Sequence, residues 1–294
     1  MDTKWIDYAV AGCGMQGCDA SILLNNTATR ESEQQALPNN NSIRGLDVVS
    51  DIKTTVEKVC PKVVSCADII ALAAEVSTIL AGGPSLKIPL GRRDSLTAST
   101  TLANQNLPSP SSTLTRLKEA FAVQGLDTTD LVALSGAHTF GRAHCSLILD
   151  RLYNFNFTGK PDPTLDTAYL QELRKICPQG GPNNLVNFEP TNPDKFDLNF
   201  YYNLQNKMGL LQSDQVLFST PGADTINIVN NFSSNQNSLF NSFATSMIKM
   251  GNIGVLTGKE GEIRKHCNWT NAESVELYMG SVTSESEEGL VGSI

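Results

Sequence analysis

Hydrophobic spacing limits what this chain can fold into more than any other feature of it. Leu46, Val49, Ile52, Val56 and Val59 recur at three- and four-residue steps, which puts them on one side of an α-helix, and Pro61 stops the pattern. Cys66 to Leu80 follows as a more apolar helix, closed by Gly82-Gly83-Pro84. Leu114, Leu117 and Phe121 restart the helical step and Gly125 ends it. Asp130 to Ala137 reads as a helix with His138 at its end, and further helical patterns run over 145–153, 169–176, 200–208 and 239–250. Lys87 to Pro110 is rich in Ser, Thr, Pro and Gly and reads as a loop wrapped over the core. Strand alternation is scarce and no repeat is visible, so the expected class is all-α with irregular connections.

Composition narrows the function. Thirty acidic against 22 basic residues give a net charge of −8, which argues against nucleic-acid or anionic-membrane partners. The longest apolar candidate, Ile69 to Ala74, is far short of a membrane span. Seven cysteines without a C-x-x-C pair, and N-x-S/T sequons at Asn25, Asn40, Asn156, Asn231 and Asn268, favour disulfides and an oxidising compartment. The N-terminus shows no secretory signal, having Asp2, Lys4 and only a short apolar patch around Val10. Residues 271–294 carry five glutamates and no basic residue, and read as a flexible acidic extension.

Two runs carry chemistry. The first is Leu134-Ser135-Gly136-Ala137-His138-Thr139-Phe140-Gly141-Arg142 and the second Gly17-Cys18-Asp19-Ala20-Ser21-Ile22-Leu23-Leu24. Taken alone, His138 reads as a satisfied core histidine, and Asp19 and Ser21 as helix caps. Together the runs resemble the proximal heme-ligand motif and the post-distal-helix motif of the class III secretory plant heme peroxidases. The resemblance covers residues 16 to 270. It implies the two-lobed, all-α heme peroxidase fold with heme b between the lobes. Ahead of it lies a non-family segment 1–15 in which the first two helices are absent.

The resemblance also assigns roles. His138 is the implied iron ligand, Asp214 in Ser213-Asp214-Gln215 its hydrogen-bond partner, and Phe188 the aromatic beside the imidazole. A carboxylate on the far ring nitrogen makes an axial imidazole more electron-rich. Pro108 matches the residue lining the aromatic-donor site. Gly17, Asp19 and Ser21, with Glu33 behind them, match one calcium site, from which the chain departs where the family's first aspartate ligand falls at Gly12 and the next carbonyl donor at Met15, and Thr139, Glu189, Asn192 and Asp197 match the other. At Glu189 and Asn192 the family usually has aspartate and threonine. The implied disulfides are Cys13–Cys18, Cys66–Cys267 and Cys145–Cys177, leaving Cys60 alone, and Asp68 and Arg92 match an internal ion pair. Closing the long Cys66–Cys267 loop is worth roughly 3–5 kcal/mol in the chain-entropy picture. His144 and His266 have no such context and read as solvent-facing or capping residues.

The family's distal histidine and arginine positions fall at Ala11 and Asp7, neither of which can move a proton or stabilise the charge of a breaking O–O bond. Losing acid–base help typically costs ~10²–10⁴-fold. An abrupt loss beside an intact motif points to a truncated or misassembled reading frame. The implied reaction is reduction of hydrogen peroxide with one-electron oxidation of small phenolic donors, by a secreted or vacuolar monomer with weak turnover. The alternatives are a noncatalytic heme-binding pseudoenzyme and an unstable truncated product.

Overall fold

The computed structural model describes residues 17–275, and within them the chain is mostly helical. The expectations for Asp7, Ala11, Cys13 and segment 1–15, and for all but the first five residues of 271–294, lie outside the described residues.

Helix α1 (Leu46–Val59) follows Gly45 at φ 82° and ends at Cys60, just before Pro61. Its buried stripe is not the one that hydrophobicity alone suggests. Val49 is buried, but Val59 is 79 % exposed while Lys53 is 1 % exposed. The lysine can be buried because its Nζ donates to Glu57 Oε1 at 2.6 Å and to the Val64 carbonyl at 2.6 Å. Helix α2 (Cys66–Leu80) is capped by Ser65, whose hydroxyl accepts from the Asp68 amide. Past its end, Gly83 has no room for a side chain, since a Cβ there would lie 2.6 Å from Thr78 and 2.9 Å from Phe196.

The stretch expected to be loop from Lys87 to Pro110 contains helix α3 (Thr100–Asn106). Its sequence is polar because only Ala103 is buried, so it carries no hydrophobic period to read. The Ser99 cap forms it, and two bonds hold it down: Thr100 Oγ1 donates to the Ser32 carbonyl, and Asn104 Oδ1 accepts from the Leu37 amide. Helices α4 (Leu114–Val123) and α5 (Thr128–Ser135) match the expected pattern, α5 starting in a reciprocal capping box of Asp127 and Asp130. Beyond them come α6 (Leu149–Tyr153), α7 (Thr167–Ile176), α8 (Asn199–Gln205), α9 (Gln212–Ser219), α10 (Thr225–Phe232) and α11 (Gln236–Met250). The expected 200–208 helix stops early because Lys207 takes φ 59° and the Met208 amide turns back to the Asn203 carbonyl.

Two buried clusters organise the described chain. The larger joins the 18–24 segment to α2, α4, α5 and α8–α11. The smaller gathers Ile148, Leu152, Tyr169, Leu173, Val186 and Leu211 around the Cys145–Cys177 disulfide. A short antiparallel pair, β1 (Arg142–His144) and β2 (Leu185–Asn187), pairs Ala143 with Val186 and edges the smaller cluster. Cys66 is bonded to Cys267, and Cys60 is free and exposed, as the resemblance implies. Cys18 is also disulfide-bonded. Arg92 Nη1 meets Asp68 Oδ1 at 3.2 Å with both side chains buried, so this ion pair is internal.

Candidate active site

The His138 position depends on how α5 ends. A Cβ on Gly136 would lie 2.2 Å from the Tyr201 hydroxyl, and that hydroxyl donates to the Val132 and Ala133 carbonyls. Only glycine lets the chain pass this close and tighten into the 3₁₀ turn Gly136–Thr139 that presents His138. The β1–β2 pair then brings Phe188 alongside, its amide donating to the Gly141 carbonyl at 3.1 Å. The Phe188 ring stacks on the imidazole at 4.2 Å and 8°, and Phe200 meets it edge-on at 6.3 Å.

Asp214 arrives from the first turn of α9. Its Oδ1 lies 2.8 Å from His138 Nδ1 and its Oδ2 accepts from the Leu211 amide at 3.2 Å. The Asp214 side chain is 3 % exposed and that of His138 27 %. His138 and Asp214 line a cavity of about 320 Å³ to which both clusters contribute, Leu134 and Ala137 from the larger and Phe188 and Leu211 from the smaller. Pro108 lines it too, with Leu107 and Pro110. The volume is in the range of small-molecule and cofactor pockets.

Sequence reasoning missed the basic side chains of this cavity. Arg44, Arg142 and His144 all line it. His144 is not a solvent-facing or capping residue. It is half-buried at the end of β1, with Nδ1 3.2 Å from the Asn183 carbonyl and Nε2 3.1 Å from the Asn41 carbonyl. Its place in the register two residues after Arg142 was the available signal, because a strand turns both side chains to the same face. His266 is exposed, as expected.

Two oxygen-rich flanks lie beyond the cavity. On the first, Asp19 Oδ1 accepts from the Ser21 amide at 3.1 Å, and Glu33 accepts from the Ser21 hydroxyl at 3.0 Å and the Ser99 amide at 3.2 Å. Gly17 backs this segment so closely that a Cβ would lie 2.2 Å from the Gly254 carbonyl oxygen. Burial raises both carboxyls, Glu33 to about 7, and the neighbouring Asp19 charge adds to the Glu33 shift. On the second flank Thr139 Oγ1 lies 3.2 Å from the Lys195 carbonyl and 3.5 Å from Asp197 Oδ1. Asn192 and Asn199 amides donate to Asp197 Oδ2 at 2.8 and 3.1 Å. Glu189 turns into its own loop instead, accepting from the Thr191 amide at 2.6 Å, the Asn192 amide at 2.5 Å and the Asn203 side chain. Among the described residues no three His, Cys, Asp or Glu side chains gather as a metal-binding group.

The family model for peroxidases matches residues 2–235. This chain belongs to the peroxidase family. It is 59% identical to peroxidase 15 of Ipomoea batatas over 261 residues, covering 88% of this chain and 80% of that one. Peroxidase 23 of Arabidopsis thaliana is 53% identical over 96% of this chain and 79% of its own length. Peroxidase C2 of Armoracia rusticana is 54% identical over 89% and 76%. The peroxidase is therefore a plant-type heme peroxidase by family, with hydrogen peroxide and a reducing donor as its reactants. No helix among the described residues is long and apolar enough to cross a membrane.

Proposed function

We propose that His138 is the axial ligand of a heme b held in the cavity, with Asp214 as its hydrogen-bond partner and Phe188 packed against its ring. The observation that carries this reading is the 2.8 Å contact between His138 Nδ1 and a buried carboxylate at the wall of a cavity. The residues suit the group. Leu107, Phe121, Leu134, Ala137 and Leu211 give a macrocycle apolar walls, and Arg44 and Arg142 supply cations for its two acidic side chains. Bound there, the heme supplies the redox centre at which peroxide is reduced. The chain's own part on this side is to keep the proton on Nδ1 shared with Asp214, which makes the opposite nitrogen a stronger donor.

Pro108, which lines the cavity, marks the edge where small phenolic donors approach. Turnover is weak in this reading, because Ala11 and Asp7 stand at the proton-moving and charge-stabilising positions. Calcium is assigned to the first flank, where Gly17, Asp19 and Ser21 offer oxygen and Glu33 balances charge. The second flank, with Thr139, Asn192 and Asp197, is a weaker site, since Glu189 is engaged by its own turn. The sequons and disulfides support a secreted or vacuolar protein.

Heme titration tests the reading. The protein should develop a Soret band that shifts on binding, and His138→Ala should lose it. Phenol oxidation by the loaded protein should exceed that of free hemin but fall short of a peroxidase with distal histidine and arginine by at least about 100-fold. An unchanged Soret band in His138→Ala would remove the assignment. A rate no better than free hemin would leave a noncatalytic heme binder.

A further inference from the structure

Behind the wall that carries Asp214 lies a buried cation that the peroxidase reaction does not call for directly. Arg151, in α6, is 3 % exposed and its partner Asp162 2 %. The guanidinium Nε donates to Asp162 Oδ2 at 2.8 Å. Its Nη1 donates to two successive carbonyls, Gly209 at 2.7 Å and Leu210 at 2.5 Å. Asp162 is itself fixed, its amide donating to the Arg151 carbonyl and its Oδ1 accepting from both the amide and the hydroxyl of Thr164. Nη2 and the Tyr169 hydroxyl are buried without a hydrogen-bond partner among the described residues.

The next peptide after Leu210 matters most. It carries the Leu211 amide, which donates to Asp214 Oδ2 while Asp214 Oδ1 meets His138 Nδ1. The Gly209 amide also donates to Gln215 Oε1, tying the same strap to α9. One guanidinium therefore sets the direction of two carbonyls and, through them, the amide that competes with His138 for the Asp214 carboxylate. Core filling alone does not need this charge, because a buried ion pair is often replaced by packed apolar side chains at no loss of stability. What the guanidinium adds is direction.

We infer that Arg151 is a positioning residue for the heme chemistry: by holding the Gly209–Leu211 strap it sets how the Asp214 charge is divided between the Leu211 amide and His138. The inference rests on His138 as iron ligand and deepens that reading. With the strap released, the Leu211 amide competes less for the carboxylate, Asp214 Oδ1 takes more of the Nδ1 proton and the imidazole becomes a stronger donor.

The test uses heme-loaded full-length protein, comparing unaltered chain, Arg151→Gln, Arg151→Lys and, as a control in the same cluster, Tyr169→Phe. The readouts are the iron–imidazole stretching band of the ferrous form and the ferric/ferrous midpoint potential. Arg151→Gln should raise the stretching frequency and shift the one-electron equilibrium about tenfold toward the ferric form, a fall of about 59 mV. Arg151→Lys, which keeps the charge but loses the fork, should move both the same way by less, and Tyr169→Phe should move neither. If Arg151→Gln does not give a cooperative melt, Arg151→Lys is read in its place. A folded Arg151 variant with both readouts unchanged overturns the inference, as does an equal shift in Tyr169→Phe. Absence of a His138-dependent band in the unaltered protein overturns the ligand assignment instead, and this inference with it.

Discussion

Asp130, at the head of α5, and Glu33, beside Asp19, are both buried carboxylates, 2 % and 0 % exposed, and they respond to burial in opposite directions. At Asp130 burial works to raise the carboxyl, but the Lys249 ammonium at 2.8 Å, the Asp127 amide and the Ser246 hydroxyl outweigh it and hold it below its usual value. At Glu33 burial prevails. Its donors are one hydroxyl and one amide, Asp19 adds a like charge, and the nearest cation, Arg264, is engaged with the Ala20, Ser95 and Cys267 carbonyls. A buried carboxylate needs a cation in contact, and only one of these two has it from the chain. The other lies at the proposed calcium site, where a divalent cation would supply the missing charge.

The largest effect should come from removing the cation behind the poorer site. Arg264 is fully buried, and Arg264→Met leaves Asp94, Asp19 and Glu33 without its charge and three carbonyls without their donors. A loss of about 3–5 kcal/mol is expected in denaturant unfolding. Lys249→Met should cost no more than about 1 kcal/mol, because the Lys249 side chain is 44 % exposed and water replaces it. Equal losses would break the comparison.

Calcium should come next. At a concentration a hundred times its dissociation constant it should add about 2.7 kcal/mol of stability. Glu33→Gln should abolish most of that gain while leaving the calcium-free protein unchanged or slightly more stable. A full calcium response in Glu33→Gln would move the ion to the Asp197 flank, where amide donors already satisfy the carboxylate.

How far the sequence could be read depends on the same distinction between local pattern and long-range partner. The helices at Leu46–Val59, Cys66–Leu80 and Leu114–Val123 were legible because each has a hydrophobic period and a stop. Helices α3, α9 and α10 were not: each is two turns or so, and their stability comes from caps and packing rather than from a readable face. The family motifs made His138, Asp214 and Phe188 legible as a group, although Asp214 lies 76 residues away from His138. Lys53, buried on a helix whose Val59 is exposed, was not legible because one of its two partners is the Val64 carbonyl, which leaves no trace in side-chain identity, and the two carbonyls that fix His144 are as silent, so its place after Arg142 could show only its face. The Glu189 substitution could be noticed in sequence, but its turning into the Thr191–Asn192 loop could not.

A smaller effect separates the helix cap from its ammonium. Asp130→Asn keeps the shape of the capping box but loses the charge facing Lys249 and Ser246, and should cost about 1–2 kcal/mol after allowing for the exposure of Lys249. Thermal melting of the heme-free protein checks it, and a loss as large as that of Arg264→Met would mean that capping rather than burial governs the region.

The smallest effect is the pH dependence that this carboxylate should impose. Its folded-state value is depressed below that of the unfolded chain, so the unfolded state binds the proton more readily. Stability from Asp130 is then fully present above the unfolded value, near 4 for an aspartate. It is lost progressively as pH falls through that value and on through the lower folded one. In a comparison of unaltered protein with Asp130→Asn, the two melting curves should differ at neutral pH and converge as the solution is acidified below about pH 4. Lys249 stays protonated throughout, since its contact with Asp130 raises it further above its usual value, and so the convergence can be assigned to the carboxyl. A gap that persists undiminished into acid would show that Asp130 acts through shape alone, and the contrast with Glu33 would then rest on packing rather than on charge.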